Sequence, residues 1–181
     1  MPIFKNQDAL IAATTDSYEK LKLKNALARE QYAYEEYTKL YKLKNVNYNA
    51  IIKTDNKDYL VVGWSAKDYL GDILYWHESF ARNIADVSNG VKPNPIKLSL
   101  RDATREGVRT SRELSVSTLL RRLNKAQKTI EQHILNDTIA VIPYRRGSRM
   151  YDRVDYLDIR TSEFRWHFWA VVQSLVHSVE S

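Results

Sequence analysis

The chain has 181 residues, 44% of them apolar and none of them cysteine, and carries a formal net charge of +6. That is enough for a single domain with a real core, spanning residues 1–181. Disulfides and thiolate metal sites are excluded, which suits a reducing cytoplasm, and no apolar run approaches the roughly 18 residues of a membrane span.

The N-terminal stretch also lacks the apolar run of a signal peptide. A first helix is expected after Asn6, a candidate N-cap, with Leu10, Thr14, Tyr18 and Leu21 at helical spacing. Helical character returns over 29–43; whether it continues the first helix or follows a break near Asn25 is open. Residues 45–62 hold Asn45, Asn47, Asn49 and Asn56 and read as a connection.

The next helix is better marked. Ser65 can cap it, with Asp68 three residues on as the capping-box acid. Leu70, Ile73, His77, Phe80 and Ile84 form its apolar stripe, and Asn89-Gly90 ends it. His77 lies on that stripe and is expected to be a hydrogen-bonded core residue. Pro93 and Pro95 mark a loop, and 98–114 is polar, with room for a short helix. A third long helix is expected over 115–136, with Val116, Leu119, Leu120, Leu123, Ala126, Ile130 and Ile134 in one stripe. Residues 138–142 read as extended linker. The basic loop 143–149 precedes the last helix, about 152–179, whose stripe is Leu157, Thr161, Phe164, Phe168, Val172 and Leu175. His133 and His177 are expected at the surface. Four long amphipathic segments make an all-α four-helix bundle, and loops this long allow a crossover connection.

Chemistry can sit where two of these helices meet. Tyr69, Asp72 and Trp76 recur at steps of three and four. On the last helix Glu163 and His167 are four apart, flanked by Trp166. Facing helices would bring Asp72, Glu163 and His167 into an aromatic groove. Two carboxylates and an imidazole can ligate a divalent metal or, without one, serve as general acid and base. The plainer reading makes Asp72 exposed and Glu163–His167 an ordinary surface pair.

The stretch from Gly63 to His77, GWSAKDYLGDILYWH, resembles the second-helix signature of the DinB-like superfamily. QDALIAA at 7–13 and EFRWHFW at 163–169 are similar to the first and last helices of its ClbS/DfsB branch. The resemblance implies a DinB-like antiparallel bundle in up-down-down-up order. It also implies a site at Asp72, Glu163 and His167, where many relatives place three histidines around a divalent metal. Only His167 keeps that identity, so the cofactor is open: a divalent metal or none. Tyr69, Trp76 and Trp166 would line the substrate groove. The implied function is a hydrolase or resistance protein acting on a small electrophile, with transferase chemistry also represented in the superfamily. The alternative is a non-catalytic bundle binding a ligand or nucleic acid. A small-molecule partner is favoured over nucleic acid because 22 acidic residues are interspersed among the 28 basic ones. An aromatic helix face would also suit a homodimer.

Overall fold

The computed structural model describes residues 4–52, 61 and 63–179. They form α1 (Phe4–Leu40), α2 (Ala66–Ser88), α3 (Leu100–Ser111), α4 (Val116–His133), β1 (Ile142–Pro143), β2 (Met150–Tyr151) and α5 (Arg153–Val179). None of the described helices is long and apolar enough to cross a membrane.

Helix α1 is continuous through Asn25, and Asn6 lies inside it rather than at its cap. Its buried positions include Leu23, Ala26, Glu30, Ala33, Tyr37 and, just past its end, Tyr41, at three- and four-residue steps, with Thr38 beside them. The expected ends of α2 are present. The Ser65 side chain accepts from the Asp68 N–H, and Asp68 accepts in return from the Ser65 N–H at 2.9 Å. At the other end Val91 N–H reaches the Asp86 carbonyl and Gly90 N–H the Val87 carbonyl. Gly90, at φ +67°, makes that reversal without a Cβ penalty.

Side-chain pairings give the direction of every long helix. Tyr41 at the end of α1 donates to the Ala66 carbonyl at the start of α2, so those two run antiparallel. Glu78 meets Arg122 and Ser88 meets His133, so α2 and α4 run parallel. Asp72 meets His167 while Phe80 stacks on Tyr156, so α5 is antiparallel to α2. The order is up-down-down-up. Two parallel neighbours need a connection that travels the length of the bundle, and α3, within 98–114, supplies about half of that return.

Two expectations are corrected. The segment 138–142 does not remain a linker without a partner: Ile142 pairs with Tyr151 and Pro143 with Met150, antiparallel, and Gly147 at φ +79° lies in the turn between them. The basic loop is thus a hairpin tip, with Arg149 over the Tyr151 ring at 4.4 Å. His133 is half-buried and bonded to Ser88 at 3.0 Å rather than lying free at the surface. The His177 side chain falls outside the described residues.

The core forms two apolar clusters along the bundle. One contains Tyr37, Tyr41, Trp64, Tyr69, Leu70, Ile73, Leu119, Leu123 and Phe164. The other contains Ala26, Phe80, Ile84, Ala126, Ile130, Tyr156 and Leu157. Each long helix passes from one cluster to the other at a buried polar residue: Glu30, His77, Gln127 and Arg160.

Helix α3 docks on α2 through two glycines. A Cβ on Gly71 would lie 1.8 Å from Ser111 Oγ, and one on Gly107 would lie 2.8 Å from Tyr75 Cβ. Gly71→Ala should gain about 1 kcal/mol of helix propensity and lose about 1–3 kcal/mol to overpacking. The expected net result is a lower urea midpoint and a melting temperature reduced by a few degrees. An unchanged midpoint would mean that α3 yields freely at this contact.

Candidate functional site

Four helices meet in the polar layer, and its hydrogen bonds run in one sense. Arg160 on α5 is completely buried. Its guanidinium donates to the Ile73 carbonyl at 3.2 Å, to Glu163 Oε2, and through Nε to His77 Nδ1 at 3.3 Å. Arginine only donates, so Nδ1 must be the unprotonated nitrogen of His77. His77 Nε2–H then donates to Gln127 Oε1 at 2.7 Å. The Gln127 amide in turn donates to Glu30 Oε2 at 2.8 Å and to Glu131 Oε1 at 3.1 Å. Burial, reinforced by the Arg160 charge, holds the His77 imidazole well below its ordinary pKa of 6.5, in keeping with this neutral tautomer. The sequence expectation of a bonded core histidine is met.

Glu30 closes the chain under the least favourable conditions. It is fully buried, and its Oε1 has no hydrogen-bond partner among the described residues. Burial raises its pKa from 4.5 to about 7, against the Gln127 hydrogen bond and the Arg160 charge, which lower it.

One to two turns away lies the second polar group, Asp72 and His167. Both are buried, and His167 Nε2 is 3.0 Å from Asp72 Oδ2. His167 Nδ1 is 2.8 Å from the Glu163 backbone carbonyl. A carbonyl oxygen only accepts, so Nδ1 carries a hydrogen. The contact between Nε2 and Oδ2 is within hydrogen-bond distance, so the two side chains are placed to share a proton. Asp72 Oδ1 is buried and has no partner among the described residues. Aromatic rings wall the pair: Trp166 lies 4.9 Å, Tyr69 5.4 Å and Tyr37 6.3 Å from the His167 ring. Trp166 is 46% exposed and connects this buried pair to solvent.

The expected trio is divided. Asp72 and His167 come together, and Asp72 is not the exposed residue of the plainer reading. The Glu163 carboxylate turns instead to Arg160 and to the Tyr144 hydroxyl, which donates to it at 3.1 Å. Glu163 contributes only its backbone carbonyl to His167. The three side chains do not fit a divalent metal: both His167 nitrogens are engaged and Glu163 is paired elsewhere. Among the described residues, no group of three or more His, Cys, Asp or Glu could hold a metal ion. Of the expected groove residues, Tyr69 and Trp166 flank the pair. Trp76 does not; it stacks on Tyr144 at 4.9 Å and packs with Ile96 and Ala103. The sequence reading did not single out Glu30, Gln127 or Arg160. Their signal was positional, a long polar residue on or beside each apolar stripe.

The overall fold is shared with a solved protein. A crystal structure of a histidine-to-alanine mutant of the mycothiol-dependent maleylpyruvate isomerase superposes on this chain with a TM-score of 0.64 at 14% identity, covering 82% of this chain. This chain spans 60% of that protein's length. The likeness agrees with the DinB-like all-α bundle expected from the sequence. No protein-family model matches the sequence, and no curated protein matches it.

The proton balance of Glu30 predicts a pH dependence. The folded form binds its proton up to about pH 7, the unfolded form only to about 4.5. Between those values Glu30 holds more of its proton in the native state, so its own contribution to stability falls as pH rises through the window, by at most about 3–4 kcal/mol. His77, held well below 6.5, contributes in the opposite sense below that pH in both proteins, so the test is the difference between wild type and Glu30→Gln: in urea unfolding between pH 4.5 and 8, wild type should lose stability relative to Glu30→Gln as pH rises. A difference that is flat or runs the other way would contradict the assignment.

Proposed function

We propose that this chain is a DinB-like bundle protein of the ClbS/DfsB kind that acts on a small electrophilic molecule, with Asp72 and His167 as its acid–base pair. The observation that supports this reading is the 3.0 Å contact between His167 Nε2 and Asp72 Oδ2, beside an Asp72 oxygen with no partner among the described residues. Such a pair can give and take a proton in one event. The nucleophile bonds to the electrophilic carbon as the bond to the leaving atom breaks. His167 delivers the bridging proton to the leaving atom, and Asp72 Oδ1 collects the proton released by the nucleophile. The pair keeps its proton count and is reset when the proton on Oδ1 passes back to the Nε2–Oδ2 contact, so R–X plus H–Nu becomes R–Nu plus H–X. In a strained ring the leaving atom stays attached and the ring opens.

The nucleophile is water or a small thiol. The chain has no cysteine, so any sulfur must come from a cosubstrate. The mycothiol dependence in the name of the similar structure makes a thiol a concrete choice to test. Trp166 and Tyr69 would hold an apolar or planar substrate, and Glu163 would orient His167 through its carbonyl.

The test is turnover of epoxides and activated cyclopropanes, with and without a small thiol, followed by mass spectrometry. Asp72→Asn and His167→Gln should each lower the rate by about 10²- to 10⁴-fold while leaving the helical circular dichroism intact. Trp166→Ala should raise KM more than it lowers kcat. Folded Asp72→Asn protein reacting at the wild-type rate would remove the pair from the mechanism. A wild type inert towards every probe would leave the bundle as a binding protein.

A further inference from the structure

The Asp72–His167 pair is buried, so a substrate needs a way in, and the seam between α1 and α5 already contains part of one. A groove of about 200 Å³ runs along it, lined by Tyr32, Ala33, Glu36, Arg165, Phe168 and Trp169. Ala33 and Glu36 lie within four residues of Tyr37, whose ring packs against His167, and Arg165 and Phe168 lie within two residues of His167 itself. Moving α1 outward would extend this groove to the pair.

Beside the buried faces of Ala33 and Tyr37, the polar contacts that hold α1 at this level are few. Arg29 and Asp158 form a salt bridge across the same seam, but its side chains are 46% and 49% exposed, so it contributes little. Tyr34 donates to Asn124 at a long 3.4 Å. The buried polar attachments are Glu30 to Gln127 and, just past the helix end, Tyr41 to the Ala66 carbonyl.

We infer that Glu30 is a proton-operated latch: protonated, it lets α1 close over the Asp72–His167 pair, and ionised, it loosens α1 and opens the seam to substrate. The inference rests on the function proposed above for what the opening serves, though not for the opening itself. The physical cause is a buried carboxylate that meets one donor where an ionised group could accept several. Every group facing it is accounted for. Tyr34 is on its own helix, and Gln127 and Glu131 come from α4, where Glu131 repels the charge. His77 comes from α2 by way of Gln127 and is neutral. Arg160 comes from α5 and attracts Glu30, but is already paired with Glu163. Among the described residues, no facing cation is left over for Glu30. Water reaches the carboxylate most readily when α1 moves out, because α1 is the helix that carries it.

Hydrogen exchange at pH 6 and pH 8, corrected for the intrinsic rate, tests this on the full chain. In the wild type, the opening constant of amides in residues 26–41 should rise severalfold, up to about tenfold, at pH 8, with α4 unchanged. Diethylpyrocarbonate should modify His167 faster in the wild type than in Glu30→Gln at pH 8, the comparison at one pH cancelling the reagent's own pH dependence. Glu30→Gln keeps both the shape and the sense of the hydrogen bonds and should remove the pH effect. An equal rise in wild type and Glu30→Gln, or one spread over every helix, would overturn the latch. Should that variant not fold, a ¹³C titration of the wild-type Glu30 carboxyl decides: a midpoint near 4.5 overturns the latch, and one near 7 supports it. Exchange involves no substrate, so a failed latch with an intact Asp72→Asn rate loss leaves the proposed chemistry standing. A working latch without turnover removes only the chemistry.

Discussion

A single buried guanidinium sets the geometry on which the rest of the bundle depends. Arg160 cannot be deprotonated and cannot accept a hydrogen bond, so every group around it must face it with a lone pair. It binds the backbone of α2 at Ile73, the ring of His77 and the carboxylate of Glu163. That requirement passes outward: it fixes the His77 tautomer, then the orientation of the Gln127 amide, then the oxygen that Glu30 must present. A purely apolar seam would allow neighbouring helices to slip by a turn at modest cost. A polar layer with one consistent sense does not, because a slip would set donor against donor.

The same layer locates the candidate site. Ile73, whose carbonyl Arg160 holds, follows Asp72 in sequence, and Glu163, whose carboxylate it holds, supplies the carbonyl that orients His167. The pair is thus braced on both helices by contacts it does not itself make. It also lies at the border of the first apolar cluster, where Tyr37, Tyr69 and Trp166 surround the ring with edges and exclude most water. A proton held there sees few competing acceptors.

The sequence was most legible where local chemistry acts alone. The Ser65–Asp68 capping box and the Asn89-Gly90 stop are settled by groups within a few residues of each other, and both are in place. The apolar stripes of α2, α4 and α5 follow from period, and the DinB-like motifs supplied the order of the helices. The 142–151 hairpin was not legible because each strand is two residues long, too short for alternation to show. The division of the trio was hidden for a different reason. Spacing places Glu163 and His167 on one side of α5, but Arg160, one turn earlier, competes for the Glu163 carboxylate. That competition depends on Arg160 being buried, which period alone does not reveal for a residue beside the stripe.

The up-down-down-up order also affects how the chain is made. Helix α1 packs along α5, so the first helix of the bundle has its neighbour in the last. During synthesis at roughly 5–20 residues per second, α1 waits on the order of ten to thirty seconds before α5 has emerged. Its stripe, from Leu23 to Tyr41, lacks that neighbour through the interval. Glu30 interrupts the stripe with a group that is ionised in water at neutral pH, which makes the nascent helix less adhesive when its apolar surface is most available to other chains.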